Sequence, residues 1–206
     1  MARKQPDLSQ LHELLYQSLE TEAGGIKIYE TALGCVQNDD LRKEWEEYLD
    51  QTKTHHGVML SVCESLGLDP NARTPGREVV RHIGESLVKA MQMAKASAPA
   101  AAAELVAAEC VVLAETKDHA NWELLGHAAD RIGGDAAAVL KQAYKAVEKD
   151  EDHHLYHTAG WSRELWISSL GMPAVLPPPE ERKDVETAIG AARAEQARSG
   201  MTKRSR

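Results

Sequence analysis

Residues 148–158 read EKDEDHHLYHT, four acids and three histidines within eleven positions. Such a run is either a solvated polar face or the inward half of a metal site, and the flanking residues decide which. At about 100° per residue, positions three, four and seven apart share one face of a helix. The apolar seam through this stretch is Leu140, Tyr144, Val147, Glu151, His154, Thr158 and Leu165. Glu151 and His154 therefore face a core. Asp150, Asp152, His153 and His157 are expected in solvent, with Glu148 at the edge of the buried face.

The same pattern recurs along the chain. Helical periodicity marks four long segments: about 8–36, about 40–67, about 99–133, and 135 to the LGMP stretch at 170–173. On the first, the line Leu8, Leu15, Glu22, Tyr29, Val36 is apolar except at its midpoint; Glu20 points almost opposite and is expected in water. On the third, Ala101, Ala108, Glu115, Trp122 and Ala129 form the equivalent line, and Asp118 sits on the neighbouring one with Val111, Leu125 and Ile132. The second helix matches the fourth at a constant offset, so that Leu41, Trp45, Tyr48, His55, Met59 and Leu66 correspond to Leu140, Tyr144, Val147, His154, Thr158 and Leu165. The first and third helices match likewise. The chain thus contains a weak duplication of a helical hairpin, but Thr52 stands where the second copy has Glu151.

Short turns join the first helix to the second and the third to the fourth. About thirty residues separate the two hairpins and carry the stripe Val79, Val80, Ile83, Leu87, Met91. Short loops make antiparallel neighbours, and a long crossover joins one hairpin to the next. The expected architecture is all-α: a four-helix bundle over residues 1–172, made of two hairpins joined by a crossover with a short extra helix. Residues 173–206, opening with proline-rich sequence, read as a linker and flexible tail.

Composition agrees with helices: phenylalanine is absent and only 4% of residues are aromatic, whereas strands favour aromatic and β-branched side chains. The net charge of −8 argues against nucleic-acid binding. No apolar run suits a membrane span, and no signal-peptide core opens the chain. Three cysteines (Cys35, Cys63, Cys110) without CxxC spacing suit reduced thiols and a cytoplasmic location.

Glu22, His55, Glu115, Asp118, Glu151 and His154 all fall midway along their helices, where a bundle brings them to one level. An ionised carboxylate in an apolar core costs several kcal/mol unless it is paired or bound to a cation. One or two divalent ions account for the whole set, and carboxylate with imidazole suits iron or manganese. Hydrogen-bonded core polar residues are the plainer alternative for each residue singly.

A glutamate with an aromatic seven residues on, then a helix bearing Glu-x-x-His, resembles the ferritin-like superfamily of di-iron carboxylate bundles. Here the motifs are Glu22 with Tyr29 and His55, then Glu115 with Trp122 and Glu151-x-x-His154. The likeness covers about residues 8–170. The order of elements is similar to rubrerythrin-like proteins and to a bacterial stress-induced ferritin-like family, the latter above all in YLDQTKTHHGVMLSVCESLG. It implies a dinuclear iron or manganese centre acting on dioxygen, peroxide or ferrous iron. Thr52 departs from the pattern, and Asp118 or His56 is the candidate replacement. The rival expectation is a structural or stress-associated bundle with a degenerate site. A second apolar strip on the third helix (Val106, Cys110, Leu113, Leu124, Ala128) points to a homodimer. The lack of a CxxC pair points to a separate electron donor or to iron itself.

Overall fold

The computed structural model describes residues 7–204, and they form an all-helical protein without a strand among them. Seven helices follow one another: α1 Leu8–Leu33, α2 Asp39–Ser65, α3 Pro75–Ser97, α4 Ala100–Ala129, α5 Gly134–Ser169, α6 Pro179–Arg182 and α7 Ala188–Arg204. The third and fourth long segments of the sequence are α4 and α5. No described helix is long and apolar enough to cross a membrane.

Local chemistry sets the ends. Asp7 accepts from Ser9 N and Gln10 N at the start of α1, and Asn38 accepts from Asp40 N and Leu41 N at the start of α2. Thr74 caps α3, with a proline in its first turn, where a missing N–H costs nothing. Gly67 closes α2 at φ +68°, a left-handed conformation that glycine adopts without Cβ strain. Glu104 of α4 secures the α1–α2 turn by accepting from Gln37 N and Asn38 N at 2.8 and 2.7 Å.

Helix α1 packs against α2, α3 and α4; α5 packs against α4 and α2; α3 lies on α1 and α4. The connection between hairpins is more helical than the expected short element, since α3 runs 23 residues. Val80 and Met91 bury its stripe, whereas Val79 and Ile83 stay exposed. Arg77 and Arg81 of α3 hold Glu20 of α1 through 2.8 Å contacts. Glu20 is therefore buried, not solvated: α3 covers the outer face of α1 that the heptad lines leave to water. Burial acts to raise the Glu20 carboxyl, but the two guanidinium groups outweigh it and leave it below its ordinary value.

The segment read as linker and flexible tail contains α6 and α7, and α6 lies against α5. Glu180 of α6 is buried and receives Arg163 Nη2 at 2.8 Å. It fills the space beside Gly160, where an added Cβ would meet its Oε2 at 2.9 Å. Val185 and Ala194 are buried as well. A charged anchor and two small apolar residues dock a segment whose proline-rich composition suggests a spacer.

Two apolar clusters fill the interior, and cluster membership changes partway along each long helix. One holds Ile28, Tyr29, Trp45, Tyr48, Val111 and Trp161. The other holds Leu15, Leu19, Met59, Trp122, Leu140 and Val147. Glu22 lies between Leu19 and Ile28, His55 between Tyr48 and Met59, Glu115 between Val111 and Trp122, and Glu151 with His154 between Val147 and Trp161. The polar residues thus form one layer between two hydrophobic ones.

Candidate metal centre

Each of the six candidate residues is buried: Glu22, His55, Glu115, Asp118, Glu151 and His154. Their donor atoms fall into two groups of three, each within 4.8 Å: His55, Glu151 and His154, and Glu22, Asp118 and Glu151. Glu151 belongs to both. It therefore sits where a carboxylate would bridge two positions, one rich in imidazole and one made of carboxylates. Glu115 lies outside both groups but beside His154, with 3.6 Å between Oε2 and Nδ1.

Surrounding side chains orient these donors. Trp122 Nε1 donates to Glu22 Oε1 at 2.7 Å, and Oε2 is left without a partner. Gln51 Oε1 lies 2.8 Å from His154 Nε2 and accepts from it, which leaves Nδ1 as the nitrogen without a hydrogen-bond partner. Nδ1 is 3.8 Å from Glu151 Oε1. His55 has a carboxylate at each nitrogen, Glu151 at 2.8 Å and Asp150 at 3.3 Å. The two imidazoles stack with centroids 5.6 Å apart, and Tyr48 covers the far side of His154 at 4.2 Å.

Burial pushes the carboxyls of Glu22, Asp118 and Glu151 well above their ordinary range, and their mutual repulsion and that of Glu115 adds to it. Burial pushes His55 down. Five buried donor atoms of the layer have no hydrogen-bond partner among the described residues: Glu22 Oε2, Glu115 Oε2, Asp118 Oδ1, Glu151 Oε2 and His154 Nδ1. Each unpaired buried polar group costs about 1–3 kcal/mol, and more when charged. A cation bound by these atoms removes both the repulsion and the lost hydrogen bonds. The donor set fits iron or manganese.

Thr52 is buried at the level of the missing acid, and its hydroxyl donates to Tyr48 O at 2.8 Å. Helices α1 and α2 approach closely here, because a Cβ on Gly25 would stand 3.1 Å from Thr52 Cγ2. Asp118 joins Glu22 in place of the absent glutamate. His56 takes no part in either group; burial and the Arg77 cation hold its imidazole toward the neutral form.

The residues assigned to solvent are not free of partners. Asp150 reaches His55, Asp152 accepts from His119 at 2.7 Å, and His153 contacts Asp184 at 3.0 Å. His157 is buried, with Nδ1 at 3.0 Å from Glu44 and 3.2 Å from Glu181. Glu44, absent from the sequence reading, also receives Trp161 Nε1 at 2.6 Å and the Tyr48 hydroxyl. A signal for it existed: Glu44 lies four residues before Tyr48 and eleven before His55, on the inward side of α2. Docking of α6 through Glu181 was not readable from periodicity. Comparison with family models, curated proteins and solved structures yields no match.

Proposed function

We propose that the protein is a metal-binding, ferritin-like four-helix bundle in which α1, α2, α4 and α5 enclose one or two iron or manganese ions, with α3 as the crossover. The observation that carries this reading is the set of five unpartnered donor atoms, from four side chains of carboxylate type and one imidazole, in a single buried layer. Glu22, Asp118, Glu151, His55 and His154 would hold the metal, with Glu115 beside them. Iron or manganese supplies one-electron chemistry and an open coordination position for dioxygen, peroxide or ferrous iron.

The chain's own residues perform four tasks. Gln51 keeps the proton on His154 Nε2 and presents Nδ1. Trp122 fixes the Glu22 carboxylate. The apolar layers above and below exclude bulk water, which strengthens each charge interaction inside. Glu151 takes part on both sides of the layer. A separate electron donor completes the reading, since no cysteine pair is present to relay electrons and all three thiols are buried. Leu113 and Leu124 on the outer face of α4 are exposed and suit a homodimer contact.

Thr52 favours a second reading, a structural or stress-associated bundle whose site has degenerated. Metal content separates the two. Protein purified without chelators and loaded anaerobically with Fe(II) or Mn(II) should retain one to two ions per chain. A content under about 0.2 ions per chain selects the structural reading.

A further inference from the structure

A cleft of about 550 Å³ runs between α4, α5 and the start of α7. Glu151 and Trp122 lie along it, so it reaches the metal layer from the side. Glu123, Glu148, Asp152 and Glu186 line it as well, against Lys149 as the one lysine of the lining. Lys149 Nζ pairs with Glu186 at 2.8 Å, which ties the α6–α7 connection across the cleft.

We propose that this cleft is the path by which a hydrated divalent cation reaches the layer, with Glu148 as the residue that draws it in. The inference rests on the proposed metal centre and adds the route and the charge selection. Three observations support it. Glu151, almost wholly buried and with an unpartnered Oε2, lines the cleft, so the path ends at a residue of the proposed ligand set. Glu148 stands one turn before Glu151 and Asp152 on the same face of α5, so carboxylates replace bound waters in sequence along the helix. The volume equals roughly eighteen waters at about 30 Å³ each, ample for an ion with its full hydration shell. A surplus of carboxylates in a confined cleft concentrates cations and repels anions.

Asp152 is tied to His119, whereas Glu148 is exposed; it can be altered without disturbing the interior. Co(II) alone serves as the probe, because its absorption reports binding to carboxylate and imidazole. Stopped-flow mixing with the full chain at low salt should show loading slowed about tenfold by Glu148→Lys and several-fold by Glu148→Gln. Lys149→Gln should speed it, and 0.5 M salt should erase all three differences. The amount of Co(II) bound at saturation should not change.

Equal loading rates in wild type and Glu148→Lys overturn the proposed path while leaving the centre standing. Slower loading that persists at high salt overturns it too, since the charge is then not responsible. Failure of the wild type to bind Co(II), Fe(II) or Mn(II) removes the centre and the path together.

Discussion

Two buried groups of carboxylate and imidazole lie one helical turn apart on α5, and they dispose of their charge in different ways. Around His157 the acids meet donors: Glu44 takes the imidazole Nδ1, the Trp161 indole and the Tyr48 hydroxyl, and Glu181 shares the same Nδ1. Around His154 acids face acids, and five donor atoms lack partners. The residue types are the same. The first group leaves one buried atom, His157 Nε2, without a partner, whereas the second leaves five, and that surplus is what supports the proposed cation. A cluster of buried acids is a candidate metal centre when its own neighbours fail to satisfy it.

The sharpest way to break this contrast is to remove one acid from each group in metal-free protein. Glu44→Ala leaves the His157 imidazole with Glu181 alone and strands the Trp161 and Tyr48 donors, and should cost about 3–5 kcal/mol in urea denaturation. Glu22→Gln removes a carboxyl from the other group while its amide oxygen keeps the Trp122 bond, and should be neutral or stabilising. Equal losses in the two variants would mean that the central layer is a satisfied ion network and no metal centre.

Next in size is the effect on metal binding. Glu151→Gln touches both groups of donors and should weaken Mn(II) or Fe(II) binding by more than about 100-fold, beyond the 10–100-fold usual for a residue that only orients a ligand. Gln51→Leu, which acts through His154, should fall within that range. Competition with a chelator of known affinity measures both, and the contrast fails if Gln51→Leu matches Glu151→Gln. The pH dependence has a definite sign. The carboxyls of Glu22, Asp118 and Glu151 are raised in the folded protein, so metal-free protein loses stability as pH rises from the ordinary carboxylate range through their folded values. Metal binding displaces protons from them, and the metal-induced rise in Tm should grow with pH. A rise independent of pH between 5 and 8 would show that the ion binds elsewhere.

The central layer was legible because its residues obey helical periodicity. Glu22, Glu115, Glu151 and His154 each interrupt an apolar line, and the interruption falls at the same depth on every helix. The all-helical class followed from the same lines. Periodicity carries no information about what covers a helix from outside, and that is where expectation and structure part. Glu20 sits on the outer side of α1 and is buried by Arg77 and Arg81 of α3, about sixty residues away in the chain. His157 and His153 face away from the α4 side of α5 and are met by Glu181 and Asp184 from the C-terminal segment. Proline-rich sequence signals a break in structure, but not that the chain beyond it returns to dock.

The smallest effect tests that docking directly. Burial alone would favour a neutral His157, yet hydrogen bonds and charge from Glu181 and Glu44 push it up to about 9. Glu181 is held below its ordinary value, chiefly by its bond to His157. A raised imidazole contributes stability that is complete below the unfolded value of about 6.5 and lost as pH rises through about 9. The depressed Glu181 carboxyl contributes above the ordinary carboxylate range and loses its share as pH falls through its folded value. The pair is therefore strongest between about pH 5 and 6.5. The Tm difference between wild type and His157→Gln should be widest there, a few degrees, and should close by about pH 9 to 10. Limited proteolysis should follow the same curve, with cleavage between α5 and α7 accelerating as the imidazole loses its proton. A Tm difference that widens with pH would show that His157 is buried neutral, and that α6 is held by Arg163 and Glu180 alone.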